Sequence, residues 1–391
     1  MRIVAAGGGS GGHVTPVLAV INELSRFDVE LEAYFICDKK FAPQARDLMS
    51  KARVSVDVSV ISAGKIRRYH RVAWWRQLMD LPTTTSNIID VGRTLVGVFQ
   101  ATWKIGRIRP DVVFTKGGFV CVPVAIAARL FRVPIVLHDS DAHPGLANRI
   151  ISRWAESIAT GAPLEHYASY PKQKSHYVGT PVDRAFRPYP EEDKRAARTW
   201  LGFPDIERPL VVVTGGGLGA RRINEAMLSI GDKLVSSGFS VLHITGHGDF
   251  ATCESKAPDS VHYKLLPFVS ERMADVLGAA DLVVTRAGAT TLLELAALHQ
   301  AVIIIPNPLL TGGHQLKNAA IYEKADAARI FDENMLSDTE ALFDTISTLL
   351  SDEAVRTSLA KAIAPFARRD AALDVAKLIV EAAHKRVTAV G

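Results

Sequence analysis

The feature that most constrains the fold is an alternation of short apolar segments with helical patterns, which runs through the chain twice. Apolar segments of strand length that alternate with helices form parallel sheets with right-handed crossovers. The first half contains six such segments, at residues 3–5, 31–37, 54–61, 112–115, 135–138 and 157–160. The second half contains five, at residues 210–214, 240–245, 263–266, 281–284 and 301–305. The pattern therefore predicts two α/β domains, each built on a parallel sheet.

The length of 391 residues also predicts about two domains, of roughly 150 to 200 residues each. The alternation is interrupted at residues 178–190, which are rich in Pro, Gly and charge and are typical of an interdomain linker. We therefore predict an N-terminal domain at residues 1–183 and a C-terminal domain at residues 184–370. The chain ends in helical patterns without strands, and the last helix, residues 371–391, is a candidate to pack back on the N-terminal domain.

Composition excludes several classes of protein. Hydrophobic residues make up 48% of the chain, so both domains can bury ordinary cores, and a net charge of +5 is far below that of a general nucleic-acid-binding protein. Three widely spaced cysteines, Cys37, Cys121 and Cys253, predict reduced thiols rather than disulfides or a metal site. The chain shows no secretory leader and no run of about 20 apolar residues, so we expect a cytosolic protein that does not cross a membrane.

Both predicted domains open with a strand that leads into a glycine-rich turn and a helix. The turns are Gly-Gly-Gly-Ser-Gly-Gly-His at residues 7–13 and Gly-Gly-Gly-Leu-Gly-Ala at residues 215–220. Such a turn gathers backbone N–H groups at the positive end of a helix dipole, which predicts an anion site. The first turn fits a dinucleotide fingerprint only loosely, with Asp38 as a weak acidic partner, and a simple tight turn is the alternative. After the second turn, Arg221 and Arg222 add charge that suits a diphosphate.

Two residues of the first domain are candidates for proton transfer. His13 precedes a helix start at Thr15, where the positive helix end favours a neutral imidazole that can accept a proton; a capping role is the alternative. Asp141 closes the segment His-Asp-Ser-Asp at residues 138–141. Two carboxylates at this spacing can hold a divalent cation, but we favour Asp141 as a carboxylate that faces the site without a metal.

The second domain offers candidate sugar and ribose contacts. Glu294 falls about two turns into the helix that follows residues 285–288, where its carboxylate is placed to accept hydrogen bonds from ribose hydroxyls. A solvated helix glutamate is the alternative, which the neighbouring leucines disfavour. Beyond the loop at residues 306–313, His314 and Gln315 open another helix and suit the hydroxyls of a sugar.

The segment from Lys65 to Arg76 combines five cations with three aromatic residues. This composition is typical of a surface that touches a membrane, where each cation is worth about 1 kcal/mol near anionic lipid. RNA binding and an ordinary solvated loop are the alternatives.

Six blocks of sequence, taken in order, resemble the MurG-type glycosyltransferases. They are GGGSGGHVTP at 7–16, LHDSDAHPGLAN at 137–148, GTPVD at 179–183, GGGLGA at 215–220, TRAGATTLLE at 285–294 and HQLKNA at 314–319. The family adds N-acetylglucosamine from UDP-GlcNAc to undecaprenyl-pyrophosphoryl-N-acetylmuramoyl-pentapeptide, called lipid I, in bacterial cell-wall synthesis. The resemblance covers nearly the whole chain and implies the α/β GT-B fold, two Rossmann-like domains that face each other across a cleft.

The resemblance also implies partners and site residues. It implies UDP-GlcNAc and an undecaprenyl-linked lipid as substrates, no cofactor, no nucleic acid and a peripheral position on the cytoplasmic face of the cell membrane. The candidate donor contacts are Ser10, Gly11, Gly12, Asp141, Arg184, Gly217, Leu218, Gly219, Val269, Ala289, Thr290, Thr291, Leu292, Leu293, Glu294, His314 and Gln315. The candidate acceptor contacts are Gly8, Gly9, His13, Thr15, Gly117 and Gly118. The general base of an inverting transfer without a metal is His13 or Asp141, and we favour His13.

Three positions depart from the usual residues of the family. Asp141 stands where the family has Asn, Asp183 followed by Arg184 stands where it has Arg, and Gly217 stands where it has Ser. The missing arginine removes a charged contact worth about 1.5 to 3 kcal/mol. Candidates to replace that contact are Arg184, Arg221 and Arg286.

Other functions stay open at this point. They are a GT-B transferase with another lipid or small-molecule acceptor, a nucleotide-sugar epimerase on the same fold, and a non-catalytic partner of a membrane enzyme.

Overall fold

The computed structural model describes residues 1–8, 14–27, 30–64, 81–140, 144–216, 219–269, 272–308 and 313–390, with the side chains of residues 81–84, 314 and 387–390 left out. Several predicted site residues lie outside the described residues: Gly9, Ser10, Gly11, Gly12, His13, the segment from Lys65 to Arg76, Asp141, Gly217 and Leu218. The chain forms two compact units, one from Met1–Asp183 with Arg368–Gly391 and the other from Arg184–Ala367.

The first unit is built on a seven-stranded parallel sheet with the strand order β3-β2-β1-β4-β5-β6-β7. Its strands are β1 (Arg2–Ala6), β2 (Glu32–Asp38), β3 (Val56–Ile61), β4 (Val112–Thr115), β5 (Ile135–Asp139), β6 (Ser157–Thr160) and β7 (Ser175–Tyr177). The helices between them are α1 (Thr15–Leu24), α2 (Ala42–Met49), α3 (Leu81–Ile108), α4 (Cys121–Leu130) and α5 (Leu146–Ile151).

The second unit repeats this plan with six parallel strands in the order β10-β9-β8-β11-β12-β13. Its strands are β8 (Leu210–Thr214), β9 (Ser240–Ile244), β10 (Tyr263–Leu266), β11 (Leu282–Thr285), β12 (Val302–Ile304) and β13 (Arg329–Ile330). Its helices are α6 (Glu191–Trp200), α7 (Arg221–Ser236), α8 (Phe250–Glu254), α9 (Met273–Gly278), α10 (Ala289–Leu298), α11 (His314–Lys324), α12 (Thr339–Ser351) and α13 (Glu353–Ile363).

The central strands are buried on both faces, and successive side chains point to opposite sides of the sheet. In β1, Ile3 and Ala5 belong to one apolar core, whereas Val4 and Ala6 belong to the core on the other face. All four side chains are fully buried. This arrangement explains why central strands such as β1, β4, β8 and β11 are nearly continuous apolar runs in the sequence.

The last helix, α14 (Ala371–Val390), returns to the first unit. It packs against α1, and Val375, Ala376 and Ile379 are completely buried in the same core as Ile21 and Phe35. The end of the chain therefore completes the core of the unit that its beginning forms.

The helix α3 exposes a row of large apolar side chains. Ile88, Leu95, Phe99 and Trp103 are 66%, 67%, 78% and 61% exposed, and their spacing of four or seven residues places them along one side of the helix. Among the described residues, no helix has both the length and the apolar character that crossing a membrane requires.

The three cysteines are free and buried. Burial raises the pKa of the Cys37 thiol to about 11 and that of the Cys121 thiol to about 12. Both groups therefore remain protonated near neutral pH, which makes them poor nucleophiles.

Candidate functional site

Each sheet has a point where the strand order changes direction, and in such sheets ligands bind beyond the carboxyl ends of the strands at this point. In the first unit the point lies between β1 and β4, and in the second between β8 and β11. The structure places Gly8 and Gly117 beyond the first pair of strands, and Gly216 and Gly288 beyond the second. Each unit therefore has one candidate site.

In the first unit, the turn after β1 and the turn after β4 come close together at glycine residues. Gly117 and Gly118 have φ angles of +97° and +93°, which L side chains rarely adopt. A Cβ atom on Gly118 would lie 3.3 Å from the carbonyl oxygen of Gly8, and one on Gly8 would lie 2.7 Å from Oδ1 of Asp38. Three of the predicted positions, Gly8, Gly117 and Gly118, are thus brought together here, and Thr15 is the first residue of α1.

A buried lysine, Lys116, stands beside this turn and was not predicted from the sequence. Its side chain is 2% exposed, and its ammonium group donates a hydrogen bond to Oγ of Ser140, which follows β5. The hydroxyl of Thr180 also donates to Oγ of Ser140, at 3.3 Å. Lys116 therefore places its ammonium group at the carboxyl end of β5, beside Ser140.

His138 and Asp139 have structural roles within β5. His138 is fully buried and bonds through Nε2 to the carbonyl of Gly179 at 2.8 Å, and burial together with the charge of Lys116 holds its pKa well below the usual value. Asp139 accepts a hydrogen bond from the hydroxyl of Tyr170 at 2.5 Å. Both polar side chains therefore serve the interior of the unit, and Asp141 is the member of this segment that stays a candidate for chemistry.

In the second unit, the turn after β8 leads into α7 without a side-chain cap. Gly216 and Gly219 have φ angles of +79° and +75°, and the first turn of α7 contains no acidic residue. The helix therefore places no carboxylate of its own first turn at the positive end of its dipole, an arrangement that suits an anion. Nearby, Asn224 and His243 form a buried hydrogen bond of 3.0 Å, and burial lowers the pKa of His243 to about 4, so that it is neutral.

The two glycines of this turn allow a matched stability test. Gly219→Ala would place a Cβ atom 2.4 Å from the carbonyl oxygen of Thr245, whereas the Cβ of Gly216→Ala would meet nothing within 4 Å. We expect Gly216→Ala to cost about 1 kcal/mol for its left-handed backbone and Gly219→Ala about 3 kcal/mol, because the overlap adds to that cost. Urea unfolding of both variants measures the difference. Equal costs would show that the turn relaxes around the new methyl group.

The predicted ribose and diphosphate segment forms the start of α10. Gly288 caps the helix without a side chain, and its first turn contains no acidic residue. Thr290, Thr291 and Glu294 are half-buried, whereas Leu292 is completely buried in the core. Glu294 is thus placed as the sequence predicts, but Leu292 has only its backbone to offer a ligand.

The remaining predicted donor contacts differ in what they can offer. Oε1 of Gln315 accepts a hydrogen bond from the backbone N–H of Asn307 at 2.8 Å, which fixes the orientation of its amide. The helix α11 begins at His314, and Arg184 is exposed at the start of the second unit. Val269 is only 9% exposed and belongs to the core. Its backbone is therefore the part that a nucleobase of the donor can contact.

A carboxylate that the sequence did not single out, Glu333, lies at the same end of the second sheet. It is 2% exposed, and its Oε1 lies 2.5 Å from Nη2 of Arg286 and 3.9 Å from Nη1 of Arg222. Arg221 is directed elsewhere, toward Asp249 at 3.4 Å. Of the arginines predicted to compensate in the diphosphate site, the structure therefore brings Arg286 to this cluster and not Arg221.

Two Rossmann-like sheets, each with a glycine turn where its strand order reverses, define a two-domain α/β protein of the class that binds nucleotide ligands. The chain matches the model of the glycosyltransferase family 28 N-terminal domain at residues 3–160 and that of the C-terminal domain at residues 210–375. The crystal structure of MurG from Acinetobacter baumannii has a TM-score of 0.68 at 23% identity, over 97% of this chain and 99% of that chain. This likeness confirms the predicted GT-B class of fold.

Two curated relatives carry the name UDP-N-acetylglucosamine–N-acetylmuramyl-(pentapeptide) pyrophosphoryl-undecaprenol N-acetylglucosamine transferase. The protein from Shouchella clausii is 38% identical over 86% of this chain and 87% of its own length. The protein from Clostridium botulinum, strain Loch Maree, is 34% identical over 86% of this chain and 88% of its own length. This chain therefore belongs to the MurG family of hexosyltransferases. An epimerase or a non-catalytic docking partner is not favoured.

Proposed function

We propose that this chain transfers N-acetylglucosamine from UDP-GlcNAc to the C4 hydroxyl of N-acetylmuramic acid in lipid I, which gives lipid II for peptidoglycan synthesis. The observation that carries the proposal is the 38% identity, over 86% of the chain, to a relative named for this transfer. The geometry of the second unit supports the donor class, because two helix starts without acidic residues meet at the point where the strand order reverses.

The proposed reaction is a single displacement with inversion at C1 of the donor sugar. The oxygen of the acceptor hydroxyl forms a bond to C1 as the bond from C1 to the diphosphate oxygen breaks, and the hydroxyl proton passes to a base. His13 is the proposed base, with Asp141 as the second candidate. Negative charge grows on the departing UDP, and the turn at Gly216 and Gly219 together with the start of α10 would stabilise it by preorganised N–H groups.

The donor is proposed to lie on the second unit. Glu294 would accept hydrogen bonds from the ribose hydroxyls, and His314 and Gln315 would contact the sugar. Half-burial suits Glu294 to this role, since its carboxylate is partly desolvated yet reachable by a ligand. The acceptor is proposed to lie on the first unit, where Gly8 and the turn at Gly117 and Gly118 lie beyond the strands between which the strand order reverses.

The chain is proposed to sit peripherally on the cytoplasmic face of the cell membrane. The apolar row on α3 supports this position, and Arg93, Lys104 and Arg107 add cations to the same helix. Apolar side chains with nearby cations are the ingredients of binding to an anionic membrane surface. The segment from Lys65 to Arg76, which precedes this helix in the sequence, has the composition of a membrane-contacting segment.

Radiolabelled UDP-GlcNAc offered with defined acceptors tests the proposed function. We expect label to enter the lipid fraction with lipid I, not with diacylglycerol, and not without an acceptor. Label on diacylglycerol would indicate a glycolipid synthase, and consumption of the donor without an acceptor would indicate an epimerase. Sedimentation of the protein with the acceptor vesicles, in the same experiment, tests the membrane position.

A further inference from the structure

Glu333 lies close to two arginines from different parts of the second unit, Arg222 at the start of α7 and Arg286 directly after β11. It lies in a short 3-10 helix after β13, at Glu333–Ser337, and its buried Oε1 faces both Arg286 and Arg222. Its Oε2 is buried and has no hydrogen-bond partner among the described residues. One carboxylate is thus shared by two guanidinium groups, which leaves one positive charge in excess.

The two arginines are held to different degrees. Arg286 is 8% exposed and bonds both to Oε1 of Glu333 at 2.5 Å and to the carbonyl of Ile305 at 3.2 Å. The side chain of Arg222 is 46% exposed, and its separation of 3.9 Å from Glu333 is too long for a hydrogen bond. Glu333 is therefore within reach of Arg222 by charge but makes no hydrogen bond to its guanidinium group.

The position of Arg222 in the fold points to the ligand. Arg222 is the second residue of α7, directly after the turn that follows β8, and Arg286 directly follows β11. These are the two strands between which the order of the sheet reverses. An anion at this crevice would meet the positive ends of α7 and α10 and a guanidinium group together.

We propose that Arg222 binds the diphosphate of the nucleotide-sugar donor, and that Glu333 is a positioning residue that holds Arg222 and Arg286 at the same crevice. The inference rests on the proposed function, because it takes the donor to be a nucleoside-diphosphate sugar. Guanidinium groups bind phosphate oxygens through parallel N–H donors, which gives both strength and direction. Gly217, in the preceding turn, has no side chain to make such a contact.

Calorimetric binding of UDP and of uridine to Arg222→Ala tests the diphosphate contact. We expect UDP to bind about tenfold more weakly or worse, because a charged hydrogen bond is lost, while the affinity for uridine changes less than about twofold. Arg195→Ala is the matched control, since Arg195 is also exposed and pairs with Glu207 at 3.1 Å outside the cluster. Arg222→Lys keeps the positive charge but lacks the parallel N–H donors of the guanidinium group, and we expect an intermediate loss of UDP affinity.

Two outcomes would overturn the contact: unchanged UDP affinity in Arg222→Ala, or an equal loss for UDP and uridine. A wild-type chain that binds neither UDP nor uridine would instead refute the proposed function, so the two failures are distinguishable.

Glu333→Gln tests the positioning role, because it keeps the shape of the side chain and removes its charge. We expect the KM for UDP-GlcNAc to rise with little change in kcat, and Arg222→Ala to have a smaller effect in the Glu333→Gln background than in the wild type. Losses that simply add would contradict the positioning role. The Arg222 series measures the contact by itself if Glu333→Gln does not fold.

Discussion

His13→Ala is expected to lower kcat about 100-fold or more at saturating acceptor, because removal of a general base leaves the acceptor hydroxyl without a proton acceptor. The affinity for UDP should be unchanged, since the donor is proposed to lie on the second unit. Single-turnover transfer measures the chemical step, and calorimetry with UDP shows whether the donor site is intact.

Asp141→Asn is the companion experiment and restores the residue usual in the family. If His13 is the base, this variant should retain transfer within about tenfold, because the amide keeps the size and part of the hydrogen bonding of the carboxylate. Near-normal turnover in His13→Ala, together with loss of transfer but retained UDP binding in Asp141→Asn, would assign the base to Asp141 instead.

The second large effect is expected in α14, where Ile379→Asp should unfold the first unit. Ile379 is completely buried against the first sheet, and the change removes an apolar side chain worth about 2 to 5 kcal/mol and buries a carboxyl group in its place. Together these costs approach the whole stability of a domain, about 5 to 15 kcal/mol. Hydrogen exchange should rise in peptides from β1 to β6 while those from β8 to β12 stay protected.

Lys377→Asp is the control for this experiment because it puts the same residue on the exposed side of the same helix. The side chain of Lys377 is 54% exposed and pairs only weakly with Asp374 at 3.3 Å, a surface pair worth about 0 to 1 kcal/mol. If both variants expose the first sheet equally, the helix itself is sensitive to aspartate, and the burial argument is wrong.

The eleven strands predicted from apolar runs are all present, and two were missed. The missed strands are β7 and β13, three and two residues long, and both lie at an edge of their sheet. An edge strand has one neighbour, and Ser175–Tyr177 is only partly buried, so selection for apolar residues is weak there. The central strands are visible in the sequence because burial on both faces favours apolar residues at most positions.

Candidate site residues can be recognised in the sequence where they belong to a short continuous motif. They cannot be recognised where their importance depends on contacts between distant parts of the chain. The glycine turns follow strands directly, and Glu294 lies in the helix that comes after β11, so local patterns in the sequence single them out. Lys116 and Glu333 do not stand out, because their partners Ser140 and Arg286 are 24 and 47 residues away. A lysine that directly continues the buried strand β4 was the only local signal, and Glu333 gave none.

The return of α14 also determines when the first unit can fold during synthesis. The ribosome must add residues 184–370 after the seven β-strands of the first unit are complete, which takes about 10 to 40 s at roughly 5 to 20 residues per second. During that interval the apolar face that α14 will cover stays exposed on the nascent chain, whereas the second unit is continuous and can fold as soon as it emerges. Folding in the cell should thus run from the second unit to the first, opposite to the usual N-terminal-first order, with the incomplete first unit as the part most in need of a chaperone.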